Sequence, residues 1–295
     1  MCMLITTSKS FLAVDTDTGD GCVAHTGKGL YYGISYSEEV IFVGARNNED
    51  CFNYLGTVEN ERGEILVFDY HLNHIDTLQA PFALRDLHQI LWFDNKLWAI
   101  CSADNMVAVY DGTAWEKWYP SDNMDTRGKD VNHFNSLFYD GQDLYVLAHN
   151  FGDSEIWHFS YPALKLLNKI RIGSQGHNIW KQDEELFTCD SQNGDVRSTG
   201  GCQVTLGGFP RGVVRNEERI FIGTSDIAER SMRSQVASRI LIFDNLWNQR
   251  AEFLIEGHGQ LLDLRSPGVK DFCVPGFTGR RVELSGNYDM NISIS

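Results

Sequence analysis

The stretch GHNIWKQDEELFTCDS, Gly176 to Ser191, decides how this chain folds. A histidine leads into an apolar run around Ile179 and Trp180. KQDEE then reads as a polar turn, and LFTC is a second apolar run ending in a polar Asp-Ser cluster. Two β-forming runs on either side of a short polar turn are the signature of a β-hairpin. The histidine stands at the hairpin's open end.

The same unit recurs. An aliphatic–aromatic pair followed by small or polar residues appears in VIFVGAR (40–46), LWAICS (97–102), LYVLAH (144–149), LFTCDS (186–191) and IFIGTS (220–225), and a weaker run, DFCV (271–274), extends the series. A repeat of roughly 40–50 residues with strand chemistry throughout marks a β-propeller. Each four-stranded blade then buries its faces only against its neighbours. Two further strand-like runs follow the pair in most units, as in MVAVYDGTAWEKWY (106–119) and RILIFDNLWNQRAEFLIE (239–256). No segment carries a long 3.6-residue apolar period with caps, so helices are minor. The last unit lacks outer strands, while the N-terminal LITTSKSFLAVDTDTGDGCV (4–23) has strand-like runs without a preceding hairpin. The sequence therefore predicts an all-β, six-bladed β-propeller forming one domain over residues 1–295. N-terminal strands complete the C-terminal blade, with Val14 to Val23 beside the last C-terminal strands. Closure of this kind removes unpaired strand edges. A β-sandwich or a pair of small all-β domains is the alternative.

The chain has 295 residues, 42% of them hydrophobic and 12% aromatic, which is globular composition. A net charge of −15 argues against nucleic acid or an anionic membrane as partner, since both are held by clustered Lys and Arg. No apolar run is long enough to span a bilayer, and MCMLITTSKSFLAVD has no basic segment ahead of a long apolar one, so no signal peptide is expected. Seven scattered cysteines without a CxxC pair suggest reduced thiols and a cytoplasmic protein. The acidic DTDTGDG (15–21) lacks the closing Glu of a calcium loop and reads as a solvated β-turn.

Histidines fall at a repeated phase. His88 and His177 each precede the pair of their blade by nine residues, and His133 precedes its pair by eleven; Arg211 takes the same place before Ile220. The innermost strand of a propeller blade begins beside the central channel, so these side chains are expected to converge there. His258, in GHGQ, holds a similar place in the last blade. His25 could reach the same mouth from a preceding loop, although Leu30 to Tyr32 occupy the matching phase in its blade. His71, His74 and His158 fall on outer strands. One blade-start histidine alone would most simply cap a turn. Several around one axis need common partners, because an unsatisfied buried polar group costs about 1–3 kcal/mol. Neutral imidazoles suit a divalent transition metal such as zinc, iron, copper or nickel, with His88, His133, His177, His258 and His25 as candidate ligands. A metal with an open coordination position supplies Lewis-acid or hydroxide chemistry. The second strands end at the same face and offer groups that orient the imidazoles or bind substrate: Ser102 and Asp104, His149 and Asn150, Asp190 and Ser191, Ser225 and Asp226. Arg211 cannot ligate a metal but binds a carboxylate or sulfate in two-pronged fashion. His177 and Arg211 are the candidate catalytic pair; Arg211, His149, Asp190 and Ser225 are the candidate substrate contacts. The basic insertion SDIAERSMRSQVASRI (225–240) is a candidate lid.

The segments GHNIW…LFTCDSQNGDV and FPRGVV…RIFIGTSDIAERS…RILIFD resemble a group of uncharacterised bacterial propeller proteins, over residues 84–245 chiefly. The most specific pieces are Asp190-Ser191-Gln192-Asn193-Gly194 and Phe209-Pro210-Arg211-Gly212. The inner-strand histidines are also similar to those of virginiamycin lyase-like and gluconolactonase-like propellers, but the chain lacks the N-terminal calcium-binding Glu of the lactonases. The resemblance implies the fold more than an activity. The expectation is a metal-dependent enzyme at the mouth, acting on a small polar or anionic substrate by lyase, hydrolase, isomerase or oxidative chemistry. A non-catalytic binding module for a glycan, peptide or metabolite is the alternative, with Tyr31, Tyr32, Phe134 and Trp180 as contact surface. A pure interaction scaffold would have no use for a His/Arg ring.

Overall fold

A computed structural model describes residues 1–47 and 58–267, together with the backbone of three short C-terminal strands. Six four-stranded antiparallel sheets form a closed ring, the blades of a propeller. The first blade in chain order comprises β4 (Tyr31–Tyr36), β5 (Ile41–Ala45), β6 (Glu64–Phe68) and β7 (His74–Leu78). The second comprises β8 (Leu87–Phe93), β9 (Lys96–Cys101), β10 (Met106–Tyr110) and β11 (Trp115–Trp118). The third comprises β12 (Phe134–Tyr139), β13 (Asp143–Ala148), β14 (Asp153–Ser160) and β15 (Leu166–Ser174). The fourth comprises β16 (Gly176–Gln182), β17 (Glu185–Asp190), β18 (Asp195–Ser198) and β19 (Cys202–Thr205). The fifth comprises β20 (Phe209–Arg215), β21 (Arg219–Ser225), β22 (Ser238–Asp244) and β23 (Gln249–Ile255).

The closing blade takes its innermost strand, β24 (Leu261–Arg265), from late in the chain. Its other three come from the start: β1 (Cys2–Thr7), β2 (Ser10–Asp15) and β3 (Asp20–Thr26), in the order β24-β1-β2-β3. The expected closure is present: the 14–23 stretch borders a C-terminal strand at Phe277–Thr278, and the innermost strand is met by β1. Cys2–Thr7 pairs with β24, as in Ile5 opposite Leu264. Val14 and Val23 lie in the two outer strands of that blade. The second strand of the blade is thus CMLITT, not DFCV, and residues 271–274 lie outside the described residues. Short pieces at Phe277–Thr278, Arg280–Glu283 and Ile292–Ile294 add a fifth strand to β3, β23 and β19 respectively.

Strand alternation explains why the blades stack. In β1, Met3 and Ile5 join an apolar cluster with Phe221, Ile240 and Phe253 of the fifth blade. Cys2 and Leu4 join Tyr31, Ile34 and Val43 of the first. Each face of the strand therefore serves a different neighbour. Met3, Leu4 and Ile5 are fully buried, each contributing about 1.5–3 kcal/mol of apolar burial to closure.

At the level of the site, all six innermost strands slip register against their second strands: between Tyr32 and Ile34, Leu87 and Ile90, Phe134 and Ser136, His177 and Ile179, Pro210 and Val213, and opposite Thr6/Thr7 in β24. Such bulges re-aim side chains, and here they turn residues toward the axis. Gly33 and Gly212 sit at these slips with φ of 59° and 76°. A Cβ there would lie 2.5 Å from the Ile90 nitrogen and 2.6 Å from the Leu264 nitrogen, so only bare backbone fits.

The slipped residues form a belt that ties blade to blade. Asp263 accepts from the Ile34 amide at 3.1 Å and from Asn178 Nδ2 at 3.2 Å. Asn178 Oδ1 accepts from the Gly212 amide at 2.7 Å, Gln89 Oε1 from the Leu137 amide at 2.7 Å, and Asn135 donates to the Gly176 carbonyl at 2.7 Å. The cavity inside the belt measures about 10 Å³, about what a single water needs. Any larger ligand therefore meets the site from the face on which the innermost strands begin. Among the described residues no helix is long and apolar enough to cross a membrane.

Candidate functional site

Around the mouth, aromatic and imidazole rings follow one another at contact distance. Tyr32 to His88 is 4.6 Å between centroids, His88 to His133 5.0 Å, His133 to His149 4.9 Å, His149 to His177 5.6 Å and His177 to Phe209 5.6 Å. Arg211 closes the circuit, its guanidinium carbon 4.9 Å from the Phe209 ring and 5.9 Å from Tyr32.

His88, His177 and Arg211 come from the register slips of their strands, as their shared phase predicts. His133 arrives differently. It precedes β12 with φ of 47°, while Phe134, which follows it, packs inward against Trp157 at 5.0 Å. His149 follows the end of β13 and sits between His133 and His177. In the two blades without a blade-start His or Arg, Tyr32 and Leu262 line the same axial cavity.

The hydrogen bonds fix the protons. His88 Nδ1 lies 2.9 Å from the Asp86 carbonyl and 2.9 Å from Ser102 Oγ, and that hydroxyl donates onward to the Phe134 carbonyl. Both neighbours therefore accept, so Nδ1 carries the proton. His177 repeats the device: Nδ1 meets Ser191 Oγ at 2.8 Å, and Ser191 donates to the Pro210 carbonyl at 2.7 Å. His133 Nδ1 meets the Asp130 carboxylate at 2.9 Å. His88 and His177 thus hold their lone pair on Nε2, while His133 donates from Nδ1. His149 is the opposite tautomer. Its Nδ1 accepts from the Phe151 amide at 3.1 Å, which places the proton on Nε2.

Burial keeps three of these imidazoles uncharged. It pushes His88 down to about 3, with His133 and Arg46 adding repulsion against the pull of Asp86. It pushes His149 down to about 2, with His133 and Arg211 next in effect, and His177 well below the usual histidine range, with Arg211 the next cause. Asp86 lies in the same wall. Burial alone would raise its carboxyl, but Arg46, His88 and His133 outweigh this and hold it well below the ordinary range. Arg46 Nη1 meets Asp86 at 2.7 Å, and its other nitrogens bind Glu61.

Arg211 is different. It is 5% exposed, no carboxylate pairs with it among the described residues, its Nε has no hydrogen-bond partner, and Nη1 reaches only the Tyr32 hydroxyl, at 3.4 Å. The carboxylates that could have braced it are engaged elsewhere: Asp190 with Arg197 at 2.6 Å and Asp226 with Arg239 at 3.0 Å.

Other expected site residues lie apart from this circuit. His25 is on β3, the outermost strand of the closing blade. It contacts Tyr31, Phe68 and His74, and its Nδ1 meets Tyr31 Oη at 2.9 Å. His258 precedes β24 by three residues and bonds Ser10 Oγ at 3.0 Å. The ring phase of that blade belongs to Leu262. Asp190 is buried, holding Asn193 and Arg197, and Ser225 is bonded to Ser238 and the Leu261 amide. Of the aromatic contact candidates, Tyr32 joins the mouth, while Tyr31, Phe134 and Trp180 are core residues. Cys101 and Cys189 are likewise buried core thiols, pushed far up by burial.

Four participants escaped the phase count: Asp86, Arg46, Phe209 and Asp130. Arg46 directly follows β5, the position at which second strands meet the mouth, and Asp86 precedes His88 by two residues; both signals were present in the sequence. The insertion over 226–237 bears on the mouth as well. Arg233 lies 5.7 Å from the Phe209 ring, and the charge of Arg230 acts on both Asp86 and His149. Asp86, His88 and His133 bring ligand atoms within 4.8 Å of one another, a geometry open to a metal ion.

No family model matches this chain, and no curated protein matches its sequence. Solved structures share the architecture. A propeller in a nidogen/laminin complex superposes with TM-score 0.64 at 10% identity, covering 89% of this chain and 97% of that one. An auxiliary nutrient binding protein from Bacteroides ovatus gives 0.53 at 15% identity, covering 73% and 61%. A virginiamycin B lyase from Staphylococcus aureus gives 0.49 at 10% identity, covering 80% and 94%. At these identities the likeness is one of fold.

Proposed function

We propose that the mouth of the propeller binds a small anionic molecule, with Arg211 as its anchor. The observation that carries this reading is the buried guanidinium itself. A charge removed from water without a partner costs several kcal/mol, and an anionic ligand relieves that cost while the neutral imidazoles accept or donate hydrogen bonds beside it. The net acidic chain and its basic mouth are consistent with a site built for one small anion rather than a polyanion. A nutrient-binding propeller among the structural neighbours fits a ligand-holding role. Thermal shift with acetate, sulfate and phosphate tests the reading. The wild-type protein is expected to be stabilised by at least one of them and Arg211→Ala by none. Equal responses in the two proteins overturn it.

A second reading rests on Asp86, His88 and His133. Ligand atoms within 4.8 Å of one another suit a divalent transition metal, and a metal beside Arg211 would make the site that of a metal-dependent lyase or hydrolase. The Arg46 guanidinium on Asp86 opposes it. Elemental analysis of protein purified without chelator or affinity-tag metal decides: near-stoichiometric metal supports this reading, and metal well below stoichiometry removes it. The buried thiols also favour a cytoplasmic setting, testable by fractionation.

A further inference from the structure

Resting on the anion-anchor reading, we infer that the ligand is a hydroxylated carboxylate, a sugar acid or small hydroxy acid, rather than a simple anion. The argument is one of donors and acceptors. Arg211 offers donors only, which suits a carboxylate. Beside it, the Nε2 atoms of His88 and His177 are acceptors, because their protons are committed to Nδ1 by Ser102 and Ser191. An acceptor that faces a ligand must be met by an O–H or N–H donor. A bare carboxylate or sulfate has none; hydrogen phosphate carries an O–H, but as a dianion it sets two charges against the single guanidinium of Arg211. His149, the opposite tautomer, supplies a donor at Nε2, which a hydroxyl oxygen accepts. One anchor for negative charge, two acceptors and one donor thus describe a ligand with one acid group and neighbouring hydroxyls. An amino acid would also bring donors, but its ammonium would sit beside Arg46 and Arg211, where a second cation is repelled. Hydroxyls carry no such penalty.

The serine relays make the inference specific. Neither Ser102 nor Ser191 need touch the ligand; both are positioning residues. Each accepts a hydrogen bond from the imidazole Nδ1–H and donates its own O–H to a backbone carbonyl of the next blade. Removing Ser191 frees His177 to take the other tautomer, which turns its Nε2 from acceptor into donor.

Paired probes test this by isothermal calorimetry in buffer containing EDTA, so that chelation of a metal by hydroxy acids cannot mimic the effect. The pairs are lactate with propionate and glucuronate with cyclohexanecarboxylate. In at least one pair the hydroxylated member is expected to bind roughly tenfold tighter, the discrimination of one or two hydrogen bonds. Ser191→Ala is expected to shrink that preference several-fold while leaving the affinity for propionate or cyclohexanecarboxylate unchanged. If both members of each pair bind equally, and through Arg211, the hydroxyl inference is overturned while the anion anchor stands. If none of the four binds, the hydroxy-acid inference is overturned, and the anchor falls with it only where acetate, sulfate and phosphate also fail to stabilise the wild-type protein. If the preference survives intact in Ser191→Ala, the tautomer argument is wrong; Ser102→Ala, where the Asp86 carbonyl still holds the His88 proton on Nδ1, is expected to keep it.

Discussion

The belt of register-slipped residues and the ring of imidazoles beside it are built from the same six strands, yet their polar groups are handled in opposite ways. In the belt, Gln89, Asn135, Asn178 and Asp263 each hand a hydrogen bond to a neighbouring blade. In the ring, the inner nitrogens of His88 and His177 are anchored while Nε2 is left for something else, and Arg211 has no counter-charge among the described residues. The belt's polarity is explained by the need to join blades. The ring's polarity is not, and that contrast supports the proposal that the ring, rather than the axis, is where the protein meets another molecule.

Acid separates the two regions most strongly. His88, His149 and His177 have folded values far below the unfolded value of about 6.5. Their contribution is therefore fully present above pH 6.5 and is lost as pH falls toward the folded values, because the unfolded chain takes up protons that the folded chain refuses. Three such groups imply a loss of about 3–4 kcal/mol between pH 6 and pH 5. Urea unfolding at the two pH values measures it. A proton uptake below one per molecule would show that these imidazoles are not held neutral.

Asp263→Ala attacks the belt. It strips the acceptor from the buried Ile34 and Leu264 amides and from Asn178, with an expected loss of about 3 kcal/mol. The melting temperature is expected to fall while binding at Arg211 in the folded fraction holds. Should anion affinity drop in step with stability, belt and ring are one unit and the comparison breaks down.

Arg211→Lys sharpens the comparison from the other side. Lysine keeps the charge but loses the planar fork, so ligand affinity is expected to fall roughly ten- to a hundredfold, or about 1.5–3 kcal/mol. Stability is expected to change little, because no protein carboxylate loses a partner. A large drop in melting temperature with unchanged affinity would return Arg211 to the structural residues. The smallest effect belongs to Ser102→Ala, which removes one hydrogen-bond relay between the second and third blades, about 1 kcal/mol by denaturant midpoint.

The hairpin repeat was legible because both faces of most strands are buried, so each blade repeats the same aliphatic–aromatic writing. The phase of His88, His177 and Arg211 was legible for the same reason, since one register slip per blade sets where the side chain goes. His133 broke the count because its backbone turns to positive φ just before the strand begins. His25 and His258 were misjudged because the closing blade mixes the two ends of the chain, and counting from a hairpin pair has no meaning there. The tautomers could not be read at all. They depend on where Ser102 and Ser191 send their own protons, into carbonyls of the next blade that are far away in sequence.

The seam between β24 and β1 has a consequence in time. When β1, β2 and β3 leave the ribosome, the strand that must lie beside β1 is still some 250 residues from being made. At roughly 5–20 residues per second that is a delay on the order of 10–50 s. Throughout it, β2 and the first blade can already cover one edge of β1 and the Leu4 face, while its other edge and the face of Met3 and Ile5 wait for β24 and the fifth blade. The newborn chain thus passes through an interval in which one half of β1 stays open, and a chaperone that shields Met3 and Ile5 is expected to matter more to its yield than any that waits for the finished ring.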